Sequence, residues 1–379
     1  MILSTAGLVL LISPMAVAPD TSKPKSAVPD ELRREVESAI GRGFDFLKSS
    51  QDRAGGWTPK YGPAITALVA HAFAQDARYG RRHAIVRQSV ERVLQSRQSD
   101  GGIYTPGMNL ANYQTSIALM MLAAIDDPSH KSVIADAQKY LARLQYDEAE
   151  SIDGANSWYG GAGYTQTKRP DLSNTQMMVE ALHASGLPPS DPVYQKAVRF
   201  ISRCQNLAAT NDQPFAKSGS NDGGFIYSAA NEGESKASEE VRELPQRELR
   251  SYGTMTYAAF KSLLYAGIDR KDPRVRAAYE WIRKHYTLDA NANMPAAQSK
   301  QGLYYYYHVF ARALAAWGEP VITDAQGRDH NWRVELCRKL LSLQRDDGSW
   351  VNEADRWNEG DPNYVTALAI LSLQCALRE

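Results

Sequence analysis

The sequence predicts an all-α protein, a closed ring of six helical hairpins forming an (α/α)6 barrel, or toroid. Three observations predict it. A phrase recurs in which an apolar helical run ends in Gln, crosses a polar turn and reaches Gly followed by an aromatic residue; its Gln falls at 51, 98, 145, 205 and 344, with an aliphatic four places earlier (Leu47, Leu94, Leu141, Ile201, Leu340). Each copy divides an amphipathic helical segment from one that is apolar on nearly all sides. The last apolar segment carries no polar capping face. Repeats of this length mark stacked supersecondary units. A helix apolar all round is buried all round, and an open stack needs polar end caps that a closed ring does not.

In order, residues 31–50 place Leu32, Val36, Ile40, Phe44 and Leu47 at helical spacing, and Gly55-Gly56-Trp57 ends that first outer helix. Residues 64–75 form the first inner helix. Further outer helices are expected near 83–98, 133–145, 193–205, 275–286 and 332–344, and inner helices near 113–125, 175–184, 254–266, 307–317 and 364–377. The gap between Gln205 and Gln344 holds a degenerate copy, with Tyr286 in the Gln position and Gly302-Leu303-Tyr304 closing the turn. The hairpins therefore number six. Asp127-Pro128, Gly186-Leu187-Pro188-Pro189, Asp272-Pro273 and Gly318-Glu319-Pro320 separate them as helix stops with Pro near the next start.

Residues 1–18 read as an export signal, with an apolar run at 6–12 and an Ala16-Val17-Ala18 cleavage site. The run is too short for a stable membrane span. The protein is therefore expected outside the cytoplasm, periplasmic or extracellular, with no transmembrane anchor after cleavage. Residues 19–30 read as a disordered linker and 31–379 as one toroid. An acidic insertion at about 228–250 is expected to be mobile. With 43 basic and 43 acidic residues the net charge is zero, which speaks against a nucleic-acid partner. Three cysteines do not make a disulfide framework, although Cys337 and Cys375 fall on adjacent antiparallel segments. Oligomeric state is not legible.

The Gln…Gly-x-Trp turns resemble the QW motifs of squalene and oxidosqualene cyclases. The paired-helix ring resembles the toroid those enzymes share with protein prenyltransferase β subunits, over residues 31–377. The resemblance implies an isoprenoid ligand. The departures concern chemistry. The D-x-D-D acid motif of squalene–hopene-type cyclases is missing, as is D-D-x-x-D. Asp126-Asp127 and Asp346-Asp347 sit where turns are expected. Tyr306-Tyr307-His308 resembles the His-bearing entry of zinc prenyltransferases, but Ser251-Tyr252-Gly253-Thr254-Met255 supplies neither Asp nor Cys, and a lone His is not a zinc site. No metal or cofactor is expected.

Candidate function gathers at one rim. Thr66, Thr115, Thr175, Thr254 and Thr366 share a slot at the inner-helix starts, which reads as capping; six helix N-termini around one mouth would also suit an anion. Aromatics crowd there, and Tyr304–Tyr307 cannot all face one way. Tyr113, Tyr252, Tyr305, Tyr307, His308, Arg312 and Tyr364 are the expected ligand-binding residues. Glu180, on an apolar inner helix, and His308 are the catalytic candidates; a cavity-facing Glu180 would have a raised pKa, whereas pairing with His183 or a neighbouring helix would be structural. Three readings follow: a cyclase-like toroid binding an apolar, isoprenoid-like ligand; a non-catalytic scaffold or interaction module; and a glycan-binding or carbohydrate-active ring. A deep apolar pocket, a filled core and an open groove with paired carboxylates would separate them.

Overall fold

The computed structural model describes residues 28–237 and 249–378. The outer helices are α1 (Asp30–Ser49), α3 (Ala84–Leu94), α5 (Lys131–Arg143), α7 (Pro192–Arg203), α10 (Pro273–Lys284) and α12 (Trp332–Ser342). The inner helices are α2 (Ala64–Ala74), α4 (Ala111–Ile125), α6 (Leu172–Ala184), α9 (Gly253–Tyr265), α11 (Leu303–Trp317) and α13 (Pro362–Leu377). A single turn, α8 (Pro214–Ser218), lies between α7 and α9. A short antiparallel hairpin of β1 (Val321–Thr323) and β2 (Asp329–Asn331), not expected from the sequence, leads from α11 into α12.

Each inner helix packs on the next, α2 to α4, α6, α9, α11 and α13, and α13 returns to α2. The expected toroid is thus closed. The burial patterns show why: α1 buries one stripe, Leu32, Val36, Ala39, Ile40, Gly43, Phe44 and Leu47, whereas in α2 every residue from Ala64 to Phe73 is buried. Outer helix α10 starts at an expected stop, Asp272 capping its first turn ahead of Pro273; α7 starts just past the 186–189 stop, with Asp191 capping ahead of Pro192.

In three of the five copies the repeated Gln bonds its own turn and the next outer helix, whereas among the described residues Gln51 bonds only Gly55 O and Gln98 bonds Ser96 O and Tyr104 O. Gln145 Nε2 donates to Gly160 O at 2.9 Å and to Val193 O, in the next outer helix, at 3.0 Å. Gln205 does the same with Gly223 and Arg274, both at 2.9 Å. Gln344 joins Gly348 to Ala39, both at 2.9 Å, and so ties the last hairpin to the first. Tyr286, in the degenerate copy, reaches the next outer helix through its hydroxyl, which donates to Glu335 at 3.0 Å. The turn glycine abuts that same neighbour. A Cβ on Gly160 would lie 1.8 Å from Lys196 O, and its φ of 82° is in the left-handed region.

The threonine slot needs two corrections. Its hydroxyl does not cap its own helix; it accepts the backbone N–H of the second residue after the turn glycine, stitching turn to inner helix. Thr66 holds Trp57, Thr115 holds Ile103, Thr175 holds Ala162 and Thr366 holds Trp350, each at 3.0 Å. In the fourth hairpin the residue is Thr256, which holds Phe225 at 3.1 Å, not Thr254.

The insertion also differs from expectation. Ser228, Ala229, Ala230 and Ala237 are buried, Ser228 Oγ donates to Pro170 O at 2.7 Å, and Glu234 pairs with Arg169 and Lys236. Residues 228–237 therefore pack against the ring; 238–248 lie outside the described residues, as do the export signal and residues 19–27 of the linker. Residues 28–30 of that linker are already structured: Val28 is buried and α1 begins at Asp30. Cys204, Cys337 and Cys375 are free and buried.

Candidate functional site

The inner helices deliver their N-termini to one mouth, and a cavity of about 220 Å³ opens inward from it. Its upper wall is phenolic: Tyr61, Tyr113, Tyr164, Tyr227, Tyr252, Tyr305 and Tyr364, with Trp357 at the rim. One to two turns further along the helices the wall turns aliphatic and thioether, with Leu68, Ile117, Met120, Met177, Met255 and Leu368. Burial pushes the Tyr113, Tyr252 and Tyr364 phenols well above their usual range, so they stay protonated donors. Tyr113 stacks on Tyr164 with centroids 5.7 Å apart. Lys236 enters the wall with its ammonium 4.7 Å from the Tyr227 ring.

His308 lies one turn beyond Tyr305 on α11 and lines the cavity. Burial holds its pKa down to about 3, so the ring is neutral, and Nδ1 has no partner among the described residues. Glu359 is fully buried and lines the cavity from the loop before α13. Its Oε1 accepts the Tyr305 N–H at 2.7 Å and its Oε2 accepts from Asn352 Nδ2 at 2.6 Å. It thereby caps α11, whose own N-cap, Gly302, has no side chain. Burial pushes its pKa up to about 7. Asp171, the N-cap of α6, is raised to about 6 for the same reason.

Beneath the aliphatic wall lies a buried ion cluster. Glu180, 1% exposed, pairs with Lys261, 0% exposed, and accepts from Arg312 Nε at 2.8 Å. Lys261 Nζ also donates to Gln176 Oε1 at 2.9 Å, and Gln176 Nε2 donates to the Tyr305 hydroxyl at 2.6 Å. Burial alone would raise the Glu180 pKa, but the Lys261 ammonium and Arg312 guanidinium outweigh it and hold the carboxyl well below the usual range.

The structure thus brings Tyr113, Tyr252, Tyr305, His308 and Tyr364 to one cavity. Three expected site residues fall elsewhere. Tyr307 is fully buried in the wall, its hydroxyl donating to Leu288 O at 2.7 Å, because α11 begins at Leu303 and its first turn fans the four tyrosines round the axis. Arg312 lies a turn below His308, occupied by Glu180. Glu180 is an ionised counterion, not a raised-pKa acid facing the cavity, and its partners are Lys261 and Arg312, not His183. Gln176, Lys261, Glu359 and Asp171 were not singled out from the sequence. Lys261 carried a signal, a lone ammonium amid the apolar Ala258-Ala259-Phe260 run; Glu359 stands in a polar loop and carried none.

A closed ring of six helical hairpins is a toroid fold that terpene cyclases share. In particular, the chain is similar to the type II terpene cyclase MstE from Scytonema without ligand (14% identity, 90% of this chain and 98% of that one, TM-score 0.53). It is also similar to an arginine-to-alanine variant of that enzyme in complex with the substrate geranylgeranyl dihydroxybenzoate (13% identity, 92% and 99%, TM-score 0.51). A D-mannose isomerase shares the fold too (12% identity, 91% and 98%, TM-score 0.55). At such identities the likeness is one of fold. In sequence, 174 residues are 24% identical to a probable squalene–hopene cyclase of Sinorhizobium fredii, 46% of this chain and 21% of that protein, so the match spans about a fifth of the relative. No protein-family model matches the chain. The resemblance to squalene cyclase-like proteins thus rests on both a stretch of sequence and the whole fold. Among the described residues no helix is long and apolar enough to cross a membrane.

Proposed function

We propose that this toroid is an exported protein that binds an apolar, isoprenoid-like ligand in its central cavity. One observation carries the reading: the cavity is enclosed by the inner helices, phenolic at the mouth and aliphatic below, so a hydrocarbon chain would bury its length against Leu68, Ile117 and Leu368 while its polar end met the tyrosines. Burial of apolar area contributes roughly 25 cal/mol per Å², and below the rim Leu68, Ile117, Met120, Met177, Met255 and Leu368 outnumber the polar Thr254 and His308. An unfilled centre also argues against a purely structural ring. The lack of a D-x-D-D motif separates this chain from the cyclases' way of delivering a proton, and binding is the activity proposed. Native mass spectrometry of the purified protein, followed by titration with farnesol and with mannose, tests it. A co-purifying lipid or saturable farnesol binding is expected; binding of mannose alone would overturn the reading in favour of a glycan site, and binding of neither would overturn it outright.

A further inference from the structure

A single polar chain reaches from the ion cluster to the cavity, and its hydrogens are fixed by chemistry. An ammonium has donors only, so the Gln176 atom 2.9 Å from Lys261 Nζ is the amide oxygen. The amide nitrogen must then face Tyr305 and donate to its hydroxyl, at 2.6 Å. Lys261 is itself held in place by Glu180, so turning the amide over would set its NH2 against a fixed ammonium, donor against donor. Tyr305 is therefore an acceptor in that bond, and its own proton has to go elsewhere. Its acceptor among the described residues is Ser173 Oγ, 3.5 Å away and well beyond the ~2.7–2.8 Å usual between hydroxyls, with the Tyr113 hydroxyl, bonded to the same serine, as its other neighbour. The remaining direction is the cavity, whose wall includes Tyr305 and Ser173. His308, on the same helix one turn on, adds an Nδ1 without a partner among the described residues.

We infer that the cavity is built for an apolar ligand bearing an acceptor oxygen, a ketone, ether, ester or alcohol on an isoprenoid-like skeleton, which takes the proton of the Tyr305 hydroxyl. This rests on the apolar-ligand reading above and deepens it. A buried donor held only by a long bond is poorly satisfied, and a ligand oxygen at ordinary distance improves it while a plain hydrocarbon does not. Specificity for oxygenated over bare chains then comes from a group whose orientation is dictated from beneath, by Lys261 through Gln176.

The probes are geranylacetone, which has an acceptor and no donor, and the hydrocarbon of the same skeleton with the carbonyl replaced by CH2. Both are titrated into the full chain and followed by intrinsic fluorescence. The ketone is expected to bind about tenfold more tightly, the value of one good hydrogen bond. Tyr305→Phe should abolish the preference, read as the ratio of the two affinities in the same variant. Gln176→Glu should abolish it with the tyrosine still present, because a carboxylate accepts from both Lys261 and Tyr305 and draws the hydroxyl proton away from the cavity. Equal affinities in the unaltered protein, or a preference that survives Tyr305→Phe, overturn the inference alone; if Gln176→Glu does not fold, Tyr305→Phe decides. Failure of both probes to bind overturns the apolar reading and this inference together.

Discussion

Glu359 Oε1 accepts the backbone N–H of Tyr305 at 2.7 Å, so a carboxyl from the loop before the last inner helix caps the first turn of the preceding one. The contact joins two hairpins at the mouth and places a group with a pKa near neutrality on the cavity wall. Trp357 and Asn358, just before it, have φ of 59° and 68°, and Asn358 Oδ1 accepts from the Tyr61 hydroxyl at 2.8 Å. Glu359 thus anchors a backbone-strained rim segment.

The pH dependence of stability follows from that carboxyl. Its pKa rises from 4.5 to about 7 on folding, so between these values the folded chain binds more protons than the unfolded one. The stabilisation is fully present below about pH 4.5 and is lost as pH rises through about 7. The stability of the unaltered protein, read from thermal melts, should fall relative to Glu359→Gln across this window, by an amount on the order of 3 kcal/mol. Parallel melting curves would show that Glu359 does not titrate there; Asp171, common to both proteins, cancels in the comparison.

Glu180 is expected to be the most sensitive member of its cluster. Glu180→Gln leaves Lys261 and Arg312 buried together without a counterion, which should cost about 3–5 kcal/mol in chemical denaturation. Lys261→Met should cost less, because Glu180 keeps Arg312 at 2.8 Å. The reverse order would show that Lys261, not Glu180, holds the cluster together.

The two threonines of α9 give a third test. Thr256→Val strips the buried Phe225 N–H of its acceptor and should destabilise by about 1–3 kcal/mol. Thr254→Val, whose hydroxyl is buried on the cavity wall without a partner among the described residues, should be near neutral. Equal losses in urea unfolding would remove the turn-stitching role assigned to Thr256.

The ring was legible because its signals are local and repeated. The Gln-to-Gly phrase, the greasy inner segments and the Pro stops each follow from helix periodicity and turn chemistry within a few residues. The start of α11 was not legible. An aromatic run reads as a rim, and what extends the helix back to Leu303 is a carboxyl 56 positions later in the chain, Glu359. Thr254 was confused with Thr256 because both lie at the same helix start, and only the path of the Phe225 backbone selects between them.

The sequence alone determined that six apolar helices must surround an axis, because their burial requirement has no other closed solution. Tertiary structure decided what occupies that axis. Whether Glu180 faced a cavity or a cation, and whether Tyr305 or Tyr307 met the ligand space, depended on Lys261, Gln176, Ser173 and Leu288, which other elements contribute. Hydrogen-bond direction and pKa are set by neighbours within a few ångströms in space, and along the chain those neighbours of Glu180 and Tyr305 stand up to 132 residues away.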